Sequence, residues 1–346
     1  MLDERKLKVL YAIINSYVLT AEPIGSRTIS KQYNLGVSPA TIRNEMADLE
    51  ELGYLNKPHS SAGRVPSDKA YRLYVDQLLK AKNPIIDIVK KNEIKKILST
   101  DDMEIDKLIQ KSAKILSATT SYTALAITPQ ININSLKHIQ LLLIGENDIL
   151  VVLVSSSGLV KNTIIKIEFQ VTENLLNTIS NFLNDSLKDL SIEELVLFVK
   201  GETFDEWQGF KHIVSKVIPV IKNFIEEVET ITLYSDGVTK ILNFPEYKDV
   251  EKAREFISFI ENKDLVVDIL LNDILSHDVD IIIGNENIYA PIKDCSIVTA
   301  TYSFQGKIIG KIGVIGPTRM EYGKMINTIK LFSENITEIV DVLIGD

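Results

Sequence analysis

Hydrophobic residues in the first 80 positions recur at helical spacing, in blocks separated by short polar turns. From Leu7 to Val18 apolar residues return every three or four positions, which predicts an amphipathic helix. Pro23 suits the start of a short second helix within residues 23–33. The tripeptide NLG at 34–36 then predicts a turn, because Asn and Gly tolerate left-handed backbone conformations.

A third helix is predicted by the stretch SPATIRNEMADLEEL, residues 38–52. Ser38 is a helix-capping residue, Pro39 fits the first helical position, and Gly53 is typical of the position just beyond a helix. The spacing predicts a buried face formed by Ile42, Met46 and Leu49. The exposed positions are Thr41, Arg43 and Asn44 near the amino end and Asp48, Glu50 and Glu51 near the carboxyl end.

A hairpin follows this helix. Residues 54–66, YLNKPHSSAGRVP, indicate a strand, a turn-rich tip and a second strand, and residues 67–79 predict a fourth amphipathic helix. Three helices with a short turn before the third, followed by a hairpin, form the order of a winged helix-turn-helix. We therefore predict a winged-helix DNA-binding domain over residues 1–82.

The remainder of the chain mixes strand and helix patterns. Residues 83–103, rich in Lys and Asn around Pro84, predict a linker that merges into a helix. Strand-like segments fall in two blocks, 120–170 and 278–317, with helices between them and a long amphipathic helix after them. Because each block is small, we predict one sheet interrupted by an insertion rather than two sheets. The expected fold class is α+β.

Charge is unevenly distributed along the chain. The net charge is −9, yet residues 1–82 carry 12 Lys and Arg against 9 Asp and Glu, whereas the remainder carries 26 against 38. A mildly basic amino-terminal module can bind a polyanion locally within an acidic protein. The charge balance therefore permits nucleic-acid binding by the first domain.

Composition limits the cellular setting. Cys295 is the single cysteine, which excludes an intramolecular disulfide and a cysteine metal cluster. The opening MLDERKLKVL is charged from its third residue, so it lacks a secretory signal pattern. The longest aliphatic run, ILVVLV at 149–154, is far shorter than a membrane span. We expect a cytoplasmic protein.

The amino-terminal turns of the third helix suit contact with DNA. Arg43 can pair with the O6/N7 edge of guanine, Asn44 with adenine, and Thr41 with a phosphate or a thymine methyl group. The positive end of the helix dipole also favours phosphate. The alternative is an ordinary solvated surface helix. The candidate DNA-contacting residues are Arg27, Thr28, Ser38, Thr41, Arg43, Asn44, His59, Ser60, Ser61 and Arg64.

No pattern in the chain predicts catalysis. His138, His212 and His277 are scattered without the spacing of a metal site. The glycines of GKIIGKIGVIGPTR, residues 306–319, lack the sequence context of a phosphate-binding loop. We expect no enzymatic activity, no metal and no cofactor.

Five stretches carry a resemblance to a known family. They are EPIGSRTISKQYNLGVSPATIRNEMADLEELGYL (22–55), PHSSAGRVPSDKAYRLYVD (58–76), NFPEY (243–247), IGNEN (283–287) and GVIGPTRMEYGKMI (313–326). Together they resemble the heat-inducible transcription repressor HrcA family of bacteria. The resemblance spans essentially the whole chain.

This resemblance implies more than the residues alone predict. It implies a winged-helix domain, a GAF-like domain, placed at 104–170 and 230–346, and a dimerising domain inserted at 171–229. It also implies a homodimer that binds an inverted-repeat operator in double-stranded DNA upstream of chaperone operons. Repression would be lifted by heat, and a GroEL-type chaperonin would keep the repressor competent.

Two other functional classes remain open at this point. The first is a ligand-responsive repressor whose GAF-like domain senses a small molecule, which a large apolar pocket with converging polar groups would favour. The second is an enzyme fused to a DNA-binding module. The missing catalytic grouping argues against the second class.

Overall fold

The structure is a computed structural model that describes residues 2–59, 62–80, 88–99, 104–127, 136–155, 160–189, 208–229, 231–271 and 279–345. Among the candidate residues, Ser60, Ser61 and His277 lie outside these ranges. Contacts divide the chain into two compact units. The first joins residues 1–101, 106–128 and 233–341, and the second consists mainly of residues 129–232.

The first unit begins with four helices and a short hairpin, residues 2–80, which we call the amino-terminal module. Its elements are α1 (Glu4–Thr20), α2 (Ser26–Gln32), α3 (Pro39–Glu51), β1 (Leu55–Asn56), β2 (Val65–Pro66) and α4 (Asp68–Lys80). The predicted order of helices and hairpin is confirmed.

Local sequence determines where these helices begin and end. The Asp3 carboxylate accepts a hydrogen bond of 2.8 Å from the Lys6 backbone N–H and caps α1. Ser38 Oγ accepts a hydrogen bond of 3.1 Å from the Thr41 backbone N–H and caps α3. Gly36 and Gly53, at φ of 69° and 78°, occupy the left-handed region that favours glycine. Both turns that flank α3 therefore depend on a glycine.

Apolar stripes of the module converge on one core. Ile42, Met46 and Leu49 of α3 are at most 4% exposed, which confirms the predicted buried face. The other buried apolar residues of the helices are Val9, Leu10, Ala12, Ile13, Ile14, Ile29, Ala70, Tyr71 and Val75. The segment before α2 also pairs with the hairpin, since Ile24 and Arg64 exchange backbone hydrogen bonds of 2.9 and 2.8 Å.

Helices and strands of both units follow the module along the chain. They are α5 (Ile88–Leu98), α6 (Ile105–Thr120), β3 (Thr123–Ile127), β4 (Leu136–Leu143), β5 (Asp148–Ser155), β6 (Val160–Lys166), α7 (Glu173–Asp189), α8 (Gln208–Glu229), β7 (Leu233–Asp236), α9 (Val250–Glu261), α10 (Lys263–Leu271), β8 (Val279–Ile283), β9 (Cys295–Phe304), β10 (Lys307–Pro317) and α11 (Tyr322–Gly345). Short 3₁₀ turns at Val238–Asn243, Pro245–Tyr247, Gly284–Glu286 and Ala290–Ile292 connect some of them.

A five-stranded antiparallel sheet forms the centre of the first unit. Its strand order is β7-β3-β10-β9-β8. Helix α11 is attached to β9, where the Ser303 backbone N–H donates to Thr337 Oγ1 at 3.1 Å. Helix α5, within the predicted linker, is attached to α11 because Lys91 Nζ lies 2.8 Å from a Glu338 carboxylate oxygen. This contact lowers the pKa of Glu338.

The second unit has a sheet and a core of its own. Its three antiparallel strands lie in the order β4-β5-β6. One sheet face packs against α7 and α8 in a cluster whose fully buried members include Ile139, Val151, Leu153, Ile179, Leu183, Ile213 and Val217. At the outer edge of β4, the Asn184 side chain of α7 bonds to both backbone groups of Ile139 at 2.8 Å. These two hydrogen bonds pair backbone groups that an uncovered edge strand would leave exposed.

The prediction of a single interrupted sheet is wrong. Of the strands in the block 120–170, β3 joins the five-stranded sheet, whereas β4, β5 and β6 form the separate sheet. The contacts divide the chain after residue 128, so β4, β5 and β6 belong to the second unit and β3 to the first. Alternation of apolar residues predicts a strand but not its partner, and this is why the sequence did not separate the two sheets.

Replacement of Leu153 by Ala tests the independence of the two sheets. Leu153 is 1% exposed in the core of the second unit, so its truncation is expected to cost about 2–5 kcal/mol of stability there. Native-state hydrogen exchange is expected to lose protection in β4–β6 and to retain it in β9 and β10. The matched variant Val298→Ala, at a fully buried position of β9, should give the opposite pattern. Equal loss in both sheets for either variant would contradict the division.

Candidate nucleic-acid interface

The amino end of α3 presents polar groups at the surface. Ser38 caps the helix and is exposed, and its Oγ lies 3.0 Å from Thr41 Oγ1. Arg43 and Asn44, one turn further on, are both exposed. Because Ile42 and Met46 occupy the core side of the same turns, these two side chains are directed away from the core. The predicted set on α3 therefore lies together at one end of the helix.

Two carboxylates of α3, those of Glu45 and Asp48, are paired with cations of α1. Glu45 Oε1 lies 2.5 Å from Arg5, and Glu45 Oε2 lies 3.0 Å from Lys6 Nζ. Lys6 Nζ also lies 3.0 Å from Asp48. These carboxylates raise the pKa of Lys6, with the hydrogen bond to Glu45 as the largest cause. The negative charge of α3 is thus partly neutralised by α1.

Glu45 is a residue that the sequence reasoning missed. Its side chain is 5% exposed and it lies on the buried stripe of α3, between Ile42 and Leu49. A buried carboxylate requires a partner of opposite charge. Two features of the sequence could have predicted this ion pair. Glu45 is an acidic residue on an apolar stripe, and the amphipathic helix α1 carries the cations Arg5 and Lys6.

Arg64, a candidate DNA contact of the hairpin, forms an ion pair within the module. Its Nε donates to Glu50 Oε2 at 2.7 Å, and a terminal nitrogen lies 2.6 Å from the same oxygen. The Arg64 side chain is 19% exposed. Neighbouring Gly63 allows close approach, because a Cβ there would lie 2.4 Å from the Ile24 carbonyl oxygen. The guanidinium therefore joins the hairpin to the carboxyl half of α3.

The remaining candidates are distributed over α2 and the hairpin. Arg27 and Thr28 are exposed in the first turn of α2. His59 is exposed near the hairpin tip, where its carbonyl oxygen accepts a hydrogen bond of 3.0 Å from Ala62. Ser60 and Ser61, also predicted, lie outside the described residues. The described candidates thus occupy the starts of α2 and α3 and the hairpin.

Two groups of polar contacts attach the module to the five-stranded sheet within the first unit. Arg72 of α4 donates to Glu286 at 2.7 Å and to the Ile281 carbonyl oxygen at 2.6 Å. Arg319, after β10, donates to the Val18 carbonyl oxygen of α1 at 3.0 Å and also pairs with Glu246. These contacts fix the module relative to the sheet.

Neither a metal-binding cluster nor a reactive thiol is found in the part of the chain that the structure describes. The described residues contain no group of three or more His, Cys, Asp or Glu that could hold a metal ion. Cys295 is buried 2.8 Å from the Tyr247 hydroxyl, and burial raises the pKa of its thiol to about 12. It therefore lacks the low pKa of a nucleophilic cysteine. Within the same described ranges, no helix is long and apolar enough to cross a membrane.

Comparison with known proteins gives one consistent result. The family described as "HrcA protein C terminal domain" matches residues 106–326. The heat-inducible transcription repressor HrcA of Ruminiclostridium cellulolyticum is 43% identical over 343 residues, which cover 98% of this chain and 97% of the relative. The protein of the same name from Alkaliphilus metalliredigens is 42% identical and covers 98% of each chain.

A solved structure supports the fold. A crystal structure of a hypothetical protein matches 99% of this chain and 100% of its own, with a TM-score of 0.66 and 22% identity. At that identity the match concerns the fold alone. The full-length identity to named relatives decides the family, and the α+β fold agrees with it. The chain belongs to the HrcA family of heat-inducible transcription repressors.

Proposed function

We propose that the amino-terminal module is a winged helix-turn-helix that inserts the amino end of α3 into the major groove of operator DNA. The observation that carries the proposal is the charge arrangement of α3. Exposed Arg43 and Asn44 stand at its amino end, whereas Glu45, Asp48 and Glu50 are held by cations of α1 and the hairpin. A helix that enters the groove end-on needs this separation of base-reading groups from carboxylates.

Each exposed group has a definite chemical role in this proposal. The Arg43 guanidinium offers a bidentate contact to guanine O6 and N7, and the Asn44 amide offers one to adenine N6 and N7. Ser38 and Thr41 hydroxyls, with the free backbone N–H groups of the first turn, suit phosphate oxygens. Arg27 and Thr28 on α2 and His59 on the hairpin are proposed to contact the DNA backbone, as are Ser60 and Ser61.

We further propose that the protein binds an inverted repeat as a homodimer through its second unit. The face of the β4–β6 sheet opposite the core carries an apolar row, because Leu142, Leu150 and Ile164 are register partners across the three strands. Leu142 is 44% exposed, Ile164 56% and Val160 59%. Apolar surface on this scale is typical of an interface. A second copy that covers it would hold two modules at the spacing of two half-sites.

The remaining elements of the proposal come from the family. We propose that the five-stranded sheet with its helices is the GAF-like domain, that the target operons encode chaperones, and that heat releases the dimer from DNA. A GroEL-type chaperonin is proposed to maintain the active form in the cytoplasm. Exposed apolar surface of the second unit is a suitable feature for a chaperonin to recognise.

Alanine at Arg43 or Asn44 is expected to weaken operator binding by about 1–3 kcal/mol and to relax specificity at one base pair of each half-site. Binding to random DNA should change little. The measurement is a fluorescence-anisotropy titration against the operator and its single-base variants at fixed salt. Arg254→Ala, which removes an exposed arginine of α9, is the matched control and should leave affinity unchanged. Equal weakening on operator and random DNA would make the residue a phosphate contact instead.

Arg64→Ala and Glu50→Gln are expected to weaken operator binding by similar factors, because each change breaks the ion pair that joins the hairpin to α3. The dependence of affinity on salt concentration should stay unchanged in both variants. The measurement is operator affinity at several salt concentrations. A slope reduced by about 1 in Arg64→Ala alone would instead support a direct contact of Arg64 with phosphate.

Ile164→Asp is expected to convert the dimer into monomers, because the interface would have to bury an unpaired carboxylate. Sedimentation should then give half the native mass, and affinity for the inverted repeat should fall to that for a single half-site. Val250→Asp introduces the same charge at a 76% exposed position of α9 and serves as the control. A dimer that persists in Ile164→Asp with normal operator affinity would place the interface elsewhere.

A further inference from the structure

The two outer edges of the three-stranded sheet in the second unit differ in how their backbone groups are paired. At the β4 edge, both backbone groups of Ile139 bond to the Asn184 side chain at 2.8 Å. The Leu141 N–H of the same edge donates to Ser180 Oγ at 3.0 Å. The opposite edge of the sheet is formed by β6. The β4 edge is therefore covered by side chains of α7, which cannot also reach the β6 edge.

The hydrogen-bond pattern between β5 and β6 shows which groups of β6 point outward. The Ile167 N–H donates to the Asn147 carbonyl oxygen at 2.9 Å, in continuation of the register of the two strands. Bonded and non-bonded pairs alternate along antiparallel strands, so the odd-numbered residues of β6 bond to β5. The even-numbered residues direct their backbone N–H and C=O groups away from β5. They are Val160, Asn162, Ile164 and Lys166.

Most of these outward groups lack a partner within the part of the chain that the structure describes. The Lys166 carbonyl oxygen accepts a hydrogen bond of 2.6 Å from Lys216 Nζ of α8. No described residue bonds to the outward backbone groups of Val160, Asn162 or Ile164. The side chains of Val160 and Ile164 are 59% and 56% exposed. Unpaired backbone groups with exposed apolar side chains form a template for another strand. We call residues 160–164 the open edge.

We propose that the open edge pairs with the open edge of a second copy of this chain, antiparallel about a two-fold axis. In the proposed register, Asn162 lies opposite Asn162 of the second copy, and Val160 lies opposite Ile164. Each such pair exchanges two backbone hydrogen bonds, so the two three-stranded sheets become one continuous sheet. This inference rests on the proposed homodimer and specifies a contact within it.

Three features favour a second copy as the occupant and favour this register. A strand that pairs antiparallel with its own copy satisfies both open edges in one symmetric contact. Ile164 opposite Val160 extends the apolar row of Leu142, Leu150 and Ile164 across the contact. The two copies of Lys166 lie beyond opposite ends of the paired segment, which keeps their like charges apart.

Asn162→Pro tests the pairing because it removes the outward N–H at the centre of the contact. Proline is tolerated on an edge strand where the missing N–H does not bond to the neighbouring strand. Sedimentation of the full-length variant is expected to give half the native mass. The Ile164 amide should exchange its hydrogen about tenfold or more faster than in the wild type. The Thr163 amide, which bonds to β5, should keep its protection and so reports that the sheet is intact.

Asn162→Ala is the matched control, since it changes the same side chain and keeps the N–H. It should remain a dimer with a protected Ile164 amide. A dimer that persists in Asn162→Pro, with no change in exchange at Ile164, would overturn the edge pairing and leave the proposed homodimer standing. A native protein that sediments as a monomer would overturn the proposed homodimer and the edge pairing together.

Asn162→Cys tests the register without altering the backbone. Cys295 is buried, so the introduced thiol is the reactive one. Opposite residues of a bonded pair have Cα atoms about 5.5 Å apart, a distance that a disulfide spans. Mild oxidation is therefore expected to yield a covalent dimer. In Lys166→Cys, the control, the two thiols would be separated by eight residue steps, roughly 27 Å, and should stay unlinked. Absence of the cross-link at position 162, or equal cross-linking at both positions, would overturn the proposed register.

Discussion

The ion pairs of the buried Glu45 carboxylate with Arg5 and Lys6 are the interaction on which the amino-terminal module depends. A carboxylate on the buried stripe of α3 is tolerated only when cations from a neighbouring element reach it. The ion pairs therefore fix α3 against the start of α1 and reduce the negative charge of α3. Removal of both cations would leave the Glu45 carboxylate buried without a partner, so the ion pairs link the stability of α3 to its position against α1.

The same physical arrangement recurs inside the module and where the module meets the rest of the first unit. Arg64 holds the hairpin to Glu50, Arg72 holds α4 to Glu286, and Arg319 bridges Glu246 and the end of α1. Each of these arginines connects segments from different elements through a carboxylate. The planar guanidinium suits such joints because it makes several directed hydrogen bonds at once. The orientation of α3 is thus linked to the five-stranded sheet by a short series of ionic contacts.

Local signals in the sequence were sufficient to predict where the helices of the module begin and end. Ser38 and Pro39 indicate the start of α3 and Gly53 its end, because capping and left-handed backbone are properties of single residues. Local signals could not predict which strands pair with β4, β5 and β6. Leu150 and Val152 alternate with Val151 and Leu153, so both faces of β5 are apolar and the pattern does not select a neighbouring strand.

Contacts between residues that are distant in the sequence account for the other features that the sequence did not predict. The ion pair of Arg64 with Glu50 forms only when the hairpin folds onto α3, so the sequence alone did not reveal it. The exposed Arg43 and Asn44 were predictable because a single helical period determines which side of α3 they occupy.

The central claim is that the amino end of α3 enters the major groove. Cys295 is the single cysteine and is buried, so a cysteine introduced at exposed Ala40 can be labelled selectively with an iron chelate that cleaves nearby DNA. The account predicts cleavage within both half-sites of the operator from Ala40→Cys and none from Leu19→Cys. Leu19 is exposed near the carboxyl end of α1 and serves as the control position. Cleavage from position 19 with none from position 40 would contradict it.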